Sequence, residues 1–230
     1  MKNDVFQRDR FSQQNIKGKI LPPGTPFIPP FTPLPEWQYA YRVIICQNDQ
    51  SCRQIKAVRK IVPVAKPKPG QVLLYMLASE VNFNELTGLA HENQPEFTVT
   101  GHRGLGLIVA TGDDVKRDNG LKVGDMVTVH LVKNPIPSAT NTNGPETRLI
   151  TRLLGTHQQF ALSPVTQVTL RNRLWESYWK QKELAIKIIP FANLENEQDG
   201  LDDTDLCIIR HAMPRLDLTD SHELFQAWKA

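Results

Sequence analysis

The sequence predicts a mainly β fold with a smaller helical part. Three observations carry this expectation. Between positions 38 and 132 the apolar residues come in runs of strand length, closed by glycine, proline, asparagine or aspartate. Helical spacing appears only after residue 171. No glycine-rich turn leads from a strand into a helix, as a phosphate-binding βαβ unit requires.

Bulk properties set the outer limits. A chain of 230 residues holds one large domain or two small ones, and can bury a substantial core. With 40% hydrophobic and 22% charged residues it reads as an ordinary globule. The net charge of +3 is scattered and has no aromatic-basic array beside it, so no nucleic-acid partner is expected. The three cysteines, Cys46, Cys52 and Cys207, form neither a disulfide framework nor a common zinc spacing. Residues 1–19 are polar, unlike a signal peptide, and no apolar run reaches spanning length. The expectation is therefore cytoplasmic, with no membrane contact.

Taken in order, residues 1–19 read as a flexible tail or a capping arm. Residues 20–36 hold seven prolines and must run extended. They could serve as a ligand for an aromatic groove. Interleaved Phe27, Ile28, Phe31 and Leu34 favour an arm packed on its own domain. Gln38 to Cys46 and Arg53 to Val64 read as a hairpin with Asn48-Asp49 in the turn. Pro69-Gly70 turns the chain into the strand Val72 to Ala78. A loop with two amides, Asn82 and Asn84, around Phe83 follows.

Gly101-His102 then opens a second strand, Leu105 to Ala110. Turns at 112–114 and 123–125 lead to a third, Met126 to Val132. Residues 133–152 are loop by composition, and Gly155 to Leu170 alternates, with Phe160, Leu162, Val165 and Val168 apolar. Leu174, Tyr178, Leu184 and Ile188 give 173–189 helical spacing, with 188–192 placed to continue as a strand. An acidic loop covers 193–205. Leu206 to Ile209 is a short strand, and 217–230 a terminal helix capped by Asp220 or Ser221.

Two short motifs look like catalytic or phosphate-binding signatures. Gly104-Leu-Gly106 has the look of a dinucleotide turn, but it leads into a strand, so it is not expected to hold phosphate. Leu206 to Arg215 (LCIIRHAMPR) looks like the arginine-histidine-alanine motif of histidine phosphatases. That mechanism needs a long fold downstream of the motif, and the sequence after Arg215 is short. Nucleophile-elbow and HExxH motifs do not occur.

The order of pieces over residues 40–170, with Lys122-Val123-Gly124-Asp125 and the span Gly101 to Gly112 at matching places, resembles the GroES-like catalytic domain of medium-chain dehydrogenase/reductases. Within that family ASEVNFNE at 78–85 is most similar to the crotonyl-CoA carboxylase/reductase or enoyl reductase branch. The resemblance implies a GroES-like partial β-barrel with a C-terminal helical segment and no Rossmann domain. It divides the chain into an arm (1–36), a GroES-like domain (37–170), and a short bridge with a C-terminal strand and helix returning to that domain (171–230). Zinc-dependent relatives carry a cysteine where Asn82 stands and a glutamate where Arg103 stands, so the resemblance implies no metal here.

The same resemblance implies an acyl pocket. Asn82, Asn84, His102 and His130 are its expected catalytic residues, and Phe83, Glu85 and Arg103 its expected substrate contacts. The amides would serve as donors to a carbonyl oxygen and the histidines as acid/base. The aromatic-glutamate pair that completes a carbon dioxide site is missing near 148–155. The expected function is a non-redox step on an acyl-thioester or polyketide-like substrate: isomerisation, dehydration, cyclisation or addition, with no cofactor. The substrate could be free or carrier-bound. The alternatives are a non-catalytic interaction subunit, self-associating or bound to a partner protein, and half of a split NADPH-dependent enoyl reductase.

Overall fold

The computed structural model describes residues 19–25, 27, 32–47, 53–81, 97–115, 120–131, 154–170, 186–196, 200–201 and 206–211. These residues form a mainly β structure. Its ten strands, among the described residues, are β1 (Trp37–Gln47), β2 (Arg53–Pro63), β3 (Gln71–Val81), β4 (Arg103–Thr111), β5 (Met126–His130), β6 (Phe160–Pro164), β7 (Val168–Leu170), β8 (Ile186–Pro190), β9 (Gly200–Leu201) and β10 (Leu206–Arg210).

The two strands of the expected hairpin pair as β1 and β2, antiparallel from Trp37↔Pro63 to Gln47↔Arg53, while the expected turn at Asn48-Asp49 lies outside the described residues. β9 extends that sheet at the Arg53 end of β2. The larger sheet runs β7-β5-β4-β3-β10-β8, and β6 also pairs with β3.

Strand β3 is the axis of the molecule. The run Val72 to Ala78 does not alternate because both faces of the strand are covered. Leu73, Tyr75 and Leu77 pack with Leu105, Leu107, Phe160 and Phe27. Val72, Leu74 and Met76 pack with Ile108, Val127 and Val129 on the other side. At the far end Val81 joins Tyr41, Ile189, Phe191 and Ile209. At about 25 cal/mol per Å² of apolar surface, each such side chain contributes roughly 1.5–3 kcal/mol.

Glycines let β4 lie close against β3. A Cβ on Gly104 would sit 2.5 Å from the Ala78 carbonyl oxygen and 2.6 Å from Met76 Cε. The glycines that imitate a dinucleotide turn therefore serve strand packing, as their lead into a strand predicted.

The arm is part of the core. Lys19 O accepts from Trp37 N at 3.2 Å, and Gln159 Nε2 donates to Leu21 O at 2.8 Å. The Tyr75 hydroxyl donates to Thr25 O, and burial pushes its pKa up, which keeps the donor protonated. Phe27 inserts between Tyr75 and Phe160, with ring centroids 5.4 Å from each. Leu34, expected to pack, is instead 43% exposed, while Ile28 and Phe31 lie outside the described residues.

The helical reading of 173–189 is corrected at its C-terminal end. Ile186–Pro190 is a strand, parallel to β10 from Leu206↔Ile186 to Arg210↔Pro190. Ile189 of this strand is buried with Val81, Phe191 and Ile209, a tertiary preference that overrides local spacing. The expected continuation to Ala192 is replaced by a 3-10 turn, Phe191–Asn196. Residues 171–185 and the expected terminal helix at 217–230 lie outside the described residues. Among the described residues no helix is long and apolar enough to cross a membrane, which leaves a β-barrel membrane protein untested.

Candidate functional site

The site grows from the middle of the large sheet. On β3, Ser79 has Gly104 of β4 as its neighbour on one side and Ile209 of β10 on the other. Its hydroxyl meets two imidazoles. Ser79 Oγ lies 2.8 Å from His157 Nδ1 and 2.8 Å from His211 Nε2. All three residues are buried.

Each histidine is fixed by backbone as well. His211 follows directly on β10, and its N–H donates to Leu77 O at 2.9 Å. Its ring stacks on Phe191 at 4.3 Å and 32°, and Phe191 meets Tyr41 edge-on at 4.7 Å. His157 N donates to Thr100 O at 3.0 Å, and His157 O accepts from Tyr41 N at 2.7 Å. Gly101, at φ 97°, forms the floor beneath the His157 ring. A Cβ there would collide with Thr156 Oγ1 and come within 2.9 Å of His157 Nδ1.

His157 sits in a run of four buried polar residues, 156–159. Three of them are paid for by hydrogen bonds. Thr156 Oγ1 donates to Arg103 O at 3.2 Å. Gln158 Nε2 donates to Gly155 O at 2.7 Å, and Gln159 Oε1 accepts from Tyr39 N at 2.9 Å. The two histidines are satisfied on one side only. His157 Nε2 and His211 Nδ1 have no hydrogen-bond partner among the described residues. A buried polar atom left unpaired costs about 1–3 kcal/mol, so two at one place call for an explanation.

Burial also fixes the charge state. Desolvation, with a smaller contribution from the charge of His102, lowers the His157 pKa to about 3. His211 lies well below the ordinary histidine value, first from desolvation and then from His157. Both rings are neutral at pH 7. Each therefore has one N–H and one bare nitrogen, the form that can both give and accept a proton.

The residues expected from sequence divide around this centre. His102 is half-buried beside Gly101, with its backbone oxygen accepting from Leu131 N at 2.7 Å, and acts on His157 through its charge. Arg103 opens β4, 4.0 Å from Glu80. His130 ends β5 directly opposite Arg103 and is exposed. Asn82, Phe83, Asn84 and Glu85 lie outside the described residues. The segment that holds them leaves β3 at Val81, two residues beyond Ser79.

Sequence reasoning missed Ser79, His157 and His211 as site residues. Ser79 was hidden in an apolar run. His211 was weighed only as part of a phosphatase-like motif. The one signal for His157 was a polar quartet inside an otherwise alternating segment.

The glycines that imitate a dinucleotide turn are taken up by the sheet. Gly104 and Gly106 face β3, and a Cβ on Gly106 would meet Leu74 Cβ at 3.1 Å. Among the described residues no three histidine, cysteine or acidic side chains gather as a ligand set.

Comparison with known proteins gives one family match: residues 68–172 match the alcohol dehydrogenase GroES-like domain. No curated protein matches the chain. Among solved structures, a crotonyl-CoA carboxylase/reductase is similar at 18% identity and TM-score 0.44, over 75% of this chain and 46% of that one. The crotonyl-CoA carboxylase/reductase AntE in complex with NADP is similar at 17% and 0.43, over 92% and 67%. An acetophenone reductase from Geotrichum candidum in complex with NAD is similar at 22% and 0.39, over 71% and 54%. The chain thus spans about half the length of the first of these structures.

Proposed function

We propose, from the premise that residues 68–172 form an alcohol dehydrogenase GroES-like domain, that the chain binds an acyl-thioester or polyketide-like small molecule and catalyses a non-redox acid–base step on it. One observation carries this reading. Two neutral buried imidazoles are bridged by Ser79, three residues before Asn82, and each keeps a nitrogen without a hydrogen-bond partner among the described residues. A buried ring held far below the ordinary histidine value is a weak base by itself, and the Ser79 bridge offers a way to move a proton without leaving either ring charged. Asn82 and Asn84 are the proposed donors to the substrate carbonyl oxygen, and His102 the group that tunes His157.

The test uses the full chain with a panel of short saturated and β,γ-unsaturated acyl thioesters in D2O. Proton NMR follows washout of the protons next to the carbonyl. Washout is expected to exceed the protein-free rate, and His157→Gln and His211→Gln are each expected to slow it about 100-fold. Washout at the protein-free rate across the panel would overturn the reading, as would variants as fast as the parent chain.

A further inference from the structure

We propose that His157, Ser79 and His211 form a two-ended proton relay, which takes a proton at the outer nitrogen of one ring and releases one from the outer nitrogen of the other. This deepens the acid–base reading above and rests on it for the substrate class. A serine hydroxyl has one proton to donate, so it can donate to one ring and must accept from the other. Only two neutral arrangements satisfy both 2.8 Å contacts. In one, His157 carries its proton on Nε2 and receives from Ser79 at Nδ1, while His211 donates to Ser79 from Nε2 and is bare at Nδ1. In the other, every proton has moved one step along the chain. His157 then donates from Nδ1 and is bare at Nε2, while His211 is protonated at Nδ1.

The two arrangements differ only in which end holds a proton to give. Those ends are the two nitrogens without a hydrogen-bond partner among the described residues. A buried bridge meant only for rigidity would have its outer atoms capped, as the neighbouring Gln158 and Gln159 are. One passage balances. The substrate loses a proton to the bare end and gains one at a second atom from the protonated end. Charge is unchanged, and no oxidant or reductant takes part. Exchange of the end protons with water resets the chain. This chemistry suits a substrate deprotonated at one atom and reprotonated at another, of which migration of a double bond in an acyl thioester is the simplest case.

The two arrangements have a signature. Both rings are Nε2–H in one and both are Nδ1–H in the other, never one of each. The experiment reads the ring-nitrogen shifts of the full, 15N-histidine-labelled chain. The expected result is that His157 and His211 both populate the two tautomers, in equal proportion and exchanging together. Unlike tautomers at the two rings overturn the relay. So does one locked pair, the result of a purely structural bridge.

The second arm follows isomerisation of the but-3-enoyl thioester of N-acetylcysteamine. Ser79→Ala is expected to lower the rate about 100-fold, and an undiminished rate overturns the relay. Joint exchange without any turnover of this thioester keeps the relay and sinks the substrate reading instead. The tautomer measurement needs no variant, so it decides the question even where Ser79→Ala does not fold.

Discussion

Gly101 shows how little space the site leaves. Its φ of 97° is one that side chains rarely adopt, and its missing Cβ is what allows Thr156 and His157 to approach. Gly101→Ala should therefore act twice, through backbone strain and by pushing on the His157 ring. The expected cost is about 1–3 kcal/mol of stability, with the Ser79–His157 contact loosened. Thermal unfolding checks the first effect, and a change in the His157 nitrogen shifts checks the second. Unaltered shifts in a folded variant would show that the glycine only eases the turn. Gly104 is tight for a different reason, since its obstacle is the Ala78 carbonyl of β3. The two glycines look alike in sequence, yet one shapes the site and the other the sheet.

At the scale of elements, the proline-rich arm is a structural strap. Phe27 touches Tyr75 and Phe160, and the strap's backbone is held by Tyr75, Gln159 and Trp37. Phe27→Ala should cost about 3–5 kcal/mol, as large-to-small changes in a core do. For a chain of this length that lowers Tm by about 10 °C, and a calorimetric scan that shows no shift would remove the strap from the core. The strands from 37 to 130 were legible because each apolar run is bounded by turn residues and both faces of β3 are covered. Ile186–Pro190 was legible only from Ile188 onward, because its first residues take strand form through pairing with β10 about twenty residues later. The site was least legible of all. Ser79, His157 and His211 come from three distant elements, and nothing local in any of them signals the others. The fold was carried by patterning, whereas the site depends on where β3, β10 and the 154–160 segment meet.

Across the whole molecule, the two buried histidines make stability depend on pH in a definite sense. In the unfolded chain both titrate near the ordinary value of about 6.5. In the folded chain His157 stays neutral down to about 3, and His211 is also held well below its ordinary value. Below about pH 6.5 the unfolded state thus binds protons that the folded state refuses, and stability falls as pH falls. The contribution is full above that pH and is lost progressively toward the folded values. The slope is about 1.4 kcal/mol per pH unit for each ring. Repulsion from His102 adds to the lowering at His157. Carboxylates also titrate in this range, so the parent chain alone cannot isolate the effect. Urea unfolding of the parent and of His157→Gln between pH 7 and 4 can, because contributions common to both chains cancel. The parent is expected to lose stability faster by about 1.4 kcal/mol per unit below roughly pH 6. Parallel curves for the two chains would mean that His157 gains its proton in the folded state as easily as in the unfolded one.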